Sequence, residues 1–314
     1  MEVILSAALL VIGLVMLCFG GNWLVSGGVG IAKKFRISNL VIGMTIVAYG
    51  TSTPELAASI AAAGDHGAII LGNIIGSNIA NVGMVIGVSA ILIPVAIKKS
   101  VLRKEIPIML GVSLLLVLLS IDGELSEYDG GLLLIGLGVF AFFTFRDALK
   151  QRTEIEDEFE HTKNNSYLKS FGLIGIGIVV LYIGAILTVD NAVVIATEFG
   201  LSEKIIGLTV IAIGTSLPEL ITSIIAIRKG HADVGIGNII GSNIYNILMI
   251  MGVGAALGGV LITSDVYLDY AIMIIFSLAL LIGLKTKIIN RPMGVILTVI
   301  CSLFGDYFFL IICA

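Results

Sequence analysis

Two six-residue stretches place a carboxylate where charge is expensive. They are GTSTPE (50–55) and GTSLPE (214–219), and the first lies within residues 40–63, which hold no other charged side chain. On a helix, Ala48, Thr51, Ser52, Glu55 and Ser59 fall at i, i+3, i+4, i+7 and i+11 and so share one face, as do Ala212, Thr215, Ser216, Glu219 and Ser223. Pro54 and Pro218 have no N–H and crowd the carbonyl four residues back, so the C=O groups of Gly50 and Gly214 lose their helical partner. In hydrocarbon, such a carbonyl must be met by protein, water or an ion. A second pair of stripes adds amides and hydroxyls at i, i+4 and i+8: Asn73, Ser77 and Asn81, then Asn238, Ser242 and Asn246. Asn78 and Asn243 stand one position after each serine. Carboxylate, hydroxyl, amide and main-chain oxygens with no nearby His or Cys suit a hard cation. Ca²⁺ accepts ~6–8 such oxygens in flexible geometry, whereas Mg²⁺ demands a tight octahedron, and zinc and copper are disfavoured.

The elements that carry these residues are membrane helices. The chain is 58% hydrophobic and 13% charged, with a mean hydropathy of +1.11 over 314 residues, more apolar surface than a soluble core absorbs. Apolar runs recur at 3–25, 40–63, 67–97, 106–121, 130–145, 170–189, 205–227, 234–264, 266–284 and 292–313. Most match the ~20 residues needed to cross the hydrocarbon; those at 106–121 and 130–145 are short. The fold class read from them is an all-α integral membrane protein with ten transmembrane helices. Of 18 Lys and Arg, 17 fall in or beside the connections near 33–39, 98–105, 146–169, 228–233 and 285–291, Lys204 being the exception. That asymmetry predicts a multi-pass protein of the cell membrane with both termini outside and the segment 147–168 cytoplasmic. The first run lacks a basic n-region and reads as a span, not a cleaved signal. Cys18, Cys301 and Cys313 read as reduced packing residues, His66, His161 and His231 as loop residues, and the acidic run 154–160 as a solvated loop.

The two halves repeat each other. GMTIVAYGTSTPELAAS (43–59) returns as GLTVIAIGTSLPELITS (207–223) with ten of seventeen residues identical, and GNIIGSNIAN (72–81) returns as GNIIGSNIYN (237–246) with nine of ten identical. Each copy spans five helices, so the second enters the bilayer from the opposite side. The expected organisation is therefore 1–146 and 169–314 as inverted-topology repeats joined by the linker 147–168. This is the plan of secondary transporters, whose substrate site lies near mid-membrane on interrupted helices. Inversion would bring Glu55 and Glu219 into one pocket. An acid at mid-membrane costs roughly 2.5–3.5 kcal/mol on insertion scales, and a second adds repulsion. With no Lys or Arg in the spans, a proton or a bound cation must neutralise them.

The paired GTSTPE, GTSLPE and GNIIGSNI motifs resemble the two alpha-repeats of the sodium/calcium exchangers, in the cation/calcium antiporter superfamily. The resemblance implies ion sites around the second, third, seventh and eighth helices, and it makes the transported ions Ca²⁺ and Na⁺ the partners, with no cofactor, no enzyme activity, no nucleic acid and no obligate protein partner. Position by position, it makes Glu55 and Glu219 the carboxylates that hold Ca²⁺, with Thr51 and Thr215 offering main-chain carbonyls. Ala48, Ser52, Ser77, Ala212, Ser216 and Ser242 would be flanking Na⁺ ligands, and Asn81 the amide of a central site with Asn246 as its partner. Asparagine at both 81 and 246, where potassium-dependent relatives use Asp in that region, implies potassium-independent exchange. The absence of an acid in the GN helices favours Na⁺ over H⁺ as the coupling ion.

Exchange of Na⁺ for Ca²⁺ by alternating access is thus the function expected, with proton-coupled or potassium-dependent exchange as alternatives. A passive cation channel is a further one, though channels usually array carboxylates in rings from several subunits. An intramembrane hydrolase is disfavoured, because no Ser-His, Cys-His or metal-His spacing appears in the spans.

Overall fold

The computed structural model describes residues 2–62, 67–151, 167–200, 212–263, 266–282 and 286–313. The acidic run 154–160, His66, His161, Lys204, residues 207–211 of the second motif, and the side chains of Asp306 and Cys313 lie outside what is described. Helix α1 (Glu2–Phe35) continues ten residues beyond the predicted apolar run. Lys33 and Lys34 in its last turn complement the carbonyl end of the dipole, and Arg36 terminates it in a left-handed conformation with φ 54°. The next helical run is interrupted. It consists of α2 (Asn39–Ile42), a π-helical turn (Gly43–Val47), α3 (Ala48–Thr51) and α4 (Thr53–Ala62). Then come α5 (Gly67–Ala80), a π segment (Asn81–Ile86), α6 (Gly87–Leu92), and strand β1 (Val95–Ala96), which replaces the helical end predicted to reach 97.

A π turn (Val101–Glu105) leads into α7 (Ile106–Leu119), followed by β2 (Glu124–Leu125) and α8 (Glu127–Gln151). The run predicted to be short at 130–145 is thus a 25-residue helix. Apolar periodicity stops where charged side chains begin, but the helix does not, since those side chains belong at its ends. Its start is closed by a capping box: Asp129 Oδ2 accepts from the Ser126 N–H at 2.9 Å, and the Asp129 N–H returns to Ser126 Oγ at 3.3 Å. Helix α9 (Tyr167–Glu198) opens the second half, so helices run into both ends of the segment expected to be a linker over 147–168. The remaining helices are α10 (Ala212–Thr215), α11 (Leu217–Arg228), α12 (Ala232–Tyr245) with a π segment (Asn246–Met251), α13 (Gly252–Gly258), α14 (Val266–Ala279) and α15 (Arg291–Cys313). A 3-10 turn (Leu280–Ile282) and strands β3 (Val260–Leu261) and β4 (Ile288–Ile289) complete the described elements. Among the described residues, five helices are long and apolar enough to cross a membrane, and Asn39–Thr51, Val266–Ala279 and Arg291–Leu303 are shorter apolar ones.

Two features relate the halves by inversion. First, α1 packs along α9 with the chains antiparallel: Gly13 meets Gly184, Gly20 meets Gly177, and Gly27 meets Ser170. A Cβ added at Gly20 would lie 2.8 Å from the main-chain N of Leu181, so hydrogen is the only substituent this crossing admits. Second, β1 pairs antiparallel with β4, and β2 with β3. The internal repeat carries β1 onto β3 and β2 onto β4 to within a residue, so each two-stranded clip joins one half to the other. A large apolar core surrounds α5, α7, α12 and α14, and a smaller one lies between α1, α9 and α11.

Candidate ion site

The continuous polar face expected through Ser52 and Ser216 is not continuous. The chain breaks there, with φ −82° and ψ 5° at Ser52 and φ −88° and ψ 0° at Ser216. The prolines cause this. Each stands at the second position of the following helix, where a missing N–H costs nothing because no intrahelical acceptor exists for it. One helix therefore ends and another begins, rather than one helix kinking. This puts Glu55 and Glu219 in the first turns of α4 and α11, where the exposed N–H groups carry partial positive charge. The break itself thus sets partial positive charge beside each carboxylate. Among the described residues no Lys, Arg or His pairs with either carboxylate.

Both acids are buried, Glu55 at 2% and Glu219 at 0% relative exposure, and they lie within range of each other's charge. Ser52 Oγ lies 3.2 Å from Glu219 Oε1 and 3.1 Å from Ser242 Oγ. Thr51 Oγ1 lies 3.0 Å from Asn238 Oδ1 and 3.2 Å from the carbonyl of Ala48. Asn238 Nδ2 donates to Ser223 Oγ at 2.9 Å, so its carbonyl must face Thr51. Asn238 is therefore a bridge between helices. Asn73, its repeat counterpart, is only half-buried.

These contacts need close backbones. A Cβ at Gly241 would come within 2.7 Å of the Ala48 Cβ and the Met44 carbonyl, and one at Gly237 within 2.6 Å of the Leu40 carbonyl. Gly83 and Gly87 likewise accept Cys301 and Thr298, whereas around Gly72 and Gly76 nothing lies within 4 Å among the described residues.

Several buried oxygens are left without a partner: Glu55 Oε2, Glu219 Oε2, Ser77 Oγ, Ser216 Oγ, Asn81 Oδ1 and Asn246 Oδ1, together with Ser59 Oγ and Thr222 Oγ1. The first six all belong to the residues singled out from sequence. An unsatisfied buried oxygen costs about 1–3 kcal/mol, so six on facing motifs form a surface that favours a cation. The two inter-repeat serine pairs differ, since Ser52 and Ser242 are bonded to each other while their repeat counterparts Ser216 and Ser77 have no partner. Thr215 is half-buried, and the side chain of Ala212 lies outside the described residues.

Asn81 and Asn246 each open a π segment, a wide turn common at functional positions. Sequence periodicity alone assigned no role to Asn78 and Asn243. The structure makes them the partners of Asn246 and Asn81, at 3.0 Å in both cases. Their recurrence in both copies was the available signal. Outside this cluster, Cys18 and Cys301 are free thiols, Asp190 is exposed, and His231 precedes α12, its imidazole held below the ordinary value by burial.

The family profile "Sodium/calcium exchanger protein" matches residues 5–146 and again 169–312. The inner membrane protein YrbG of Escherichia coli is 37% identical over 305 residues, covering 94% of each chain. The sodium/calcium exchanger MaX1 of Methanosarcina acetivorans is 32% identical over 329 residues, covering 92% of this chain and 94% of its own. Among solved structures, the sodium-calcium exchanger NCX_Mj soaked with Na⁺ and Ca²⁺ superimposes with a TM-score of 0.83 at 34% identity, over 96% of this chain and 97% of that one.

Proposed function

We propose a transport cycle that proceeds from one premise: the chain belongs to the sodium/calcium exchanger protein family. It is a multi-pass membrane protein that exchanges Na⁺ for Ca²⁺ and performs no enzymatic reaction. The observation that carries the assignment to particular residues is the pair of buried, uncompensated carboxylates, Glu55 and Glu219, each with one oxygen unpartnered.

Two carboxylates give the pocket a formal charge of −2. One Ca²⁺ satisfies that charge, and so do several Na⁺, but both sets together overload it, and mutual exclusion is what antiport requires. Glu55 and Glu219 hold Ca²⁺, with Thr51 and Thr215 beside them. Ser52, Ser77, Ser216 and Ser242, with Ala48 and Ala212, complete the Na⁺ positions. The Asn81 and Asn246 carbonyl oxygens face the centre and add no charge, which supports exchange independent of K⁺ and of protons.

Alternating access is supported by the unequal inter-repeat pairs, with Ser52 and Ser242 bonded and the buried Ser216 and Ser77 hydroxyls without a partner. The glycine-packed pair α1 and α9 would rock as a unit against the remaining helices. We further propose ten crossings in two inverted repeats, 1–146 and 169–314, in the plasma membrane. Both termini would lie outside and 147–168 in the cytoplasm, so that Na⁺ entry drives Ca²⁺ out.

The test is flux in reconstituted vesicles. Radioactive Ca²⁺ should enter only when Na⁺ is trapped inside. Uptake that ignores internal Na⁺ and follows voltage would overturn antiport in favour of a channel, and uptake driven by internal acid would replace Na⁺ by H⁺. For topology, Glu158→Cys in a background without native cysteines should react with an impermeant thiol reagent only from the cytoplasmic side.

A further inference from the structure

Four asparagines, Asn78 and Asn81 from the first half and Asn243 and Asn246 from the second, meet in the buried centre of the bundle, each at no more than 2% exposure. An amide can be turned end for end, and which end faces a cation decides attraction or repulsion. Here the orientation follows from main-chain groups that cannot turn. Asn78 Nδ2 donates to the carbonyl of Asn243 at 3.3 Å, and Asn243 Nδ2 donates to the carbonyl of Asn78 at 3.4 Å. A carbonyl only accepts, so both NH₂ groups must point at the opposite backbone. Each side-chain oxygen is thereby turned outward from the pair. Asn78 Oδ1 accepts from Asn246 Nδ2 and Asn243 Oδ1 accepts from Asn81 Nδ2, both at 3.0 Å. With their NH₂ groups engaged, Asn81 and Asn246 have only Oδ1 left to present, and both oxygens are buried without a partner.

We propose that Asn78 and Asn243 are positioning residues: a reciprocal amide pair across the repeat interface that locks Asn81 and Asn246 with their carbonyl oxygens toward the ions. The inference rests on the reading that Asn81 and Asn246 line the ion site. The sulfurs of Met273 and Met109, at 3.6 and 3.5 Å from the Asn78 and Asn243 NH₂ groups, are the softest of acceptors and leave the main-chain bonds dominant. If Asn78 were lost, Asn246 Nδ2 would lose its acceptor, and the freed amide could turn its NH₂ toward the cation.

The pairing is crossed, and that makes it testable. Asn78 acts through Asn246 and Asn243 through Asn81, so double-mutant cycles are measured on Na⁺-driven Ca²⁺ uptake in vesicles, reading the Na⁺ concentration for half-maximal rate separately from the maximal rate. Asn78→Ala should raise that concentration by roughly tenfold, the upper end for one lost neutral hydrogen bond. The effect should vanish in an Asn246→Ala background and persist in an Asn81→Ala background, with Asn243→Ala showing the opposite dependence. A merely structural role would move the maximal rate or the yield of folded protein and would show no such partner preference. Equal effects in both backgrounds, or no effect on Na⁺ dependence, would overturn the proposal. The two cycles are independent, and Asn78→Ser and Asn243→Ser, which keep a polar group but are too short to reach the next amide, serve where an alanine variant does not accumulate. If Asn246→Ala and Asn81→Ala each leave the Na⁺ and Ca²⁺ dependence unchanged, it is the site assignment that fails.

Discussion

Replacing Glu219 by glutamine isolates charge from shape. The substituted amide retains an oxygen for the Ser52 hydroxyl, which lies 3.2 Å from Glu219 Oε1, and fills the same fully buried volume, but the pocket's formal charge falls from −2 to −1. At a ligand distance of about 2.4 Å and an effective dielectric of about 20, one carboxylate attracts a monovalent ion by roughly 7 kcal/mol and a divalent ion by roughly 14. The substitution therefore penalises Ca²⁺ over Na⁺ by roughly 7 kcal/mol before relaxation. Should water and neighbouring oxygens recover half of that, the remaining difference is still roughly 300-fold. Purified Glu219→Gln protein, monodisperse in detergent, is reconstituted and assayed for Ca²⁺ uptake against trapped Na⁺ and, separately, for Na⁺ self-exchange. Ca²⁺ uptake should be abolished while Na⁺ self-exchange is impaired far less. Retention of Ca²⁺ uptake within about tenfold of wild type would refute the argument that two formal charges set the divalent specificity.

Glu55→Gln should behave in the same way, and a variant with full activity would dissolve the shared pocket. Gly241→Ala drives a methyl against Ala48 and Met44 and should cost about 1–3 kcal/mol, read as a lowered melting temperature. By contrast, Gly138→Ala, with nothing within 4 Å among the described residues, should stay within about 1 kcal/mol of wild type. At one end of α8, the hydrogen bond from Lys104 lowers the Asp147 carboxyl below its ordinary value of 3.8. Its contribution is therefore fully present above that value and disappears as pH falls through the lower folded one, so Asp147→Asn should melt earlier than wild type near neutrality and converge with it in stronger acid.

How much of this was legible depends on the range of the interaction concerned. The repeated GTS-x-PE and GNIIGSN motifs named Glu55, Glu219, Ser77, Ser216, Asn81 and Asn246, because duplication marks residues irrespective of their surroundings. The reading erred where local pattern was asked for geometry. A continuous helical face was expected through Ser52, yet a proline two residues on permits either a kink or a new helix start, and packing selected the second. The run at 130–145 read as short because hydropathy reports where apolar side chains end and not where the main-chain ladder does.

The chemistry of the site and the kinship of the two halves were encoded in residue types and their recurrence along the chain: acids without counter-ions, and two copies of each motif. The direction in which each amide points was not. Asparagine is the same letter whichever end faces an ion, and its orientation is dictated by main-chain carbonyls some 165 positions away. Contacts between residues so far apart exist only once the two halves have docked, so Asn78 and Asn243 acquire a role in the folded bundle that neighbours in the chain could not assign.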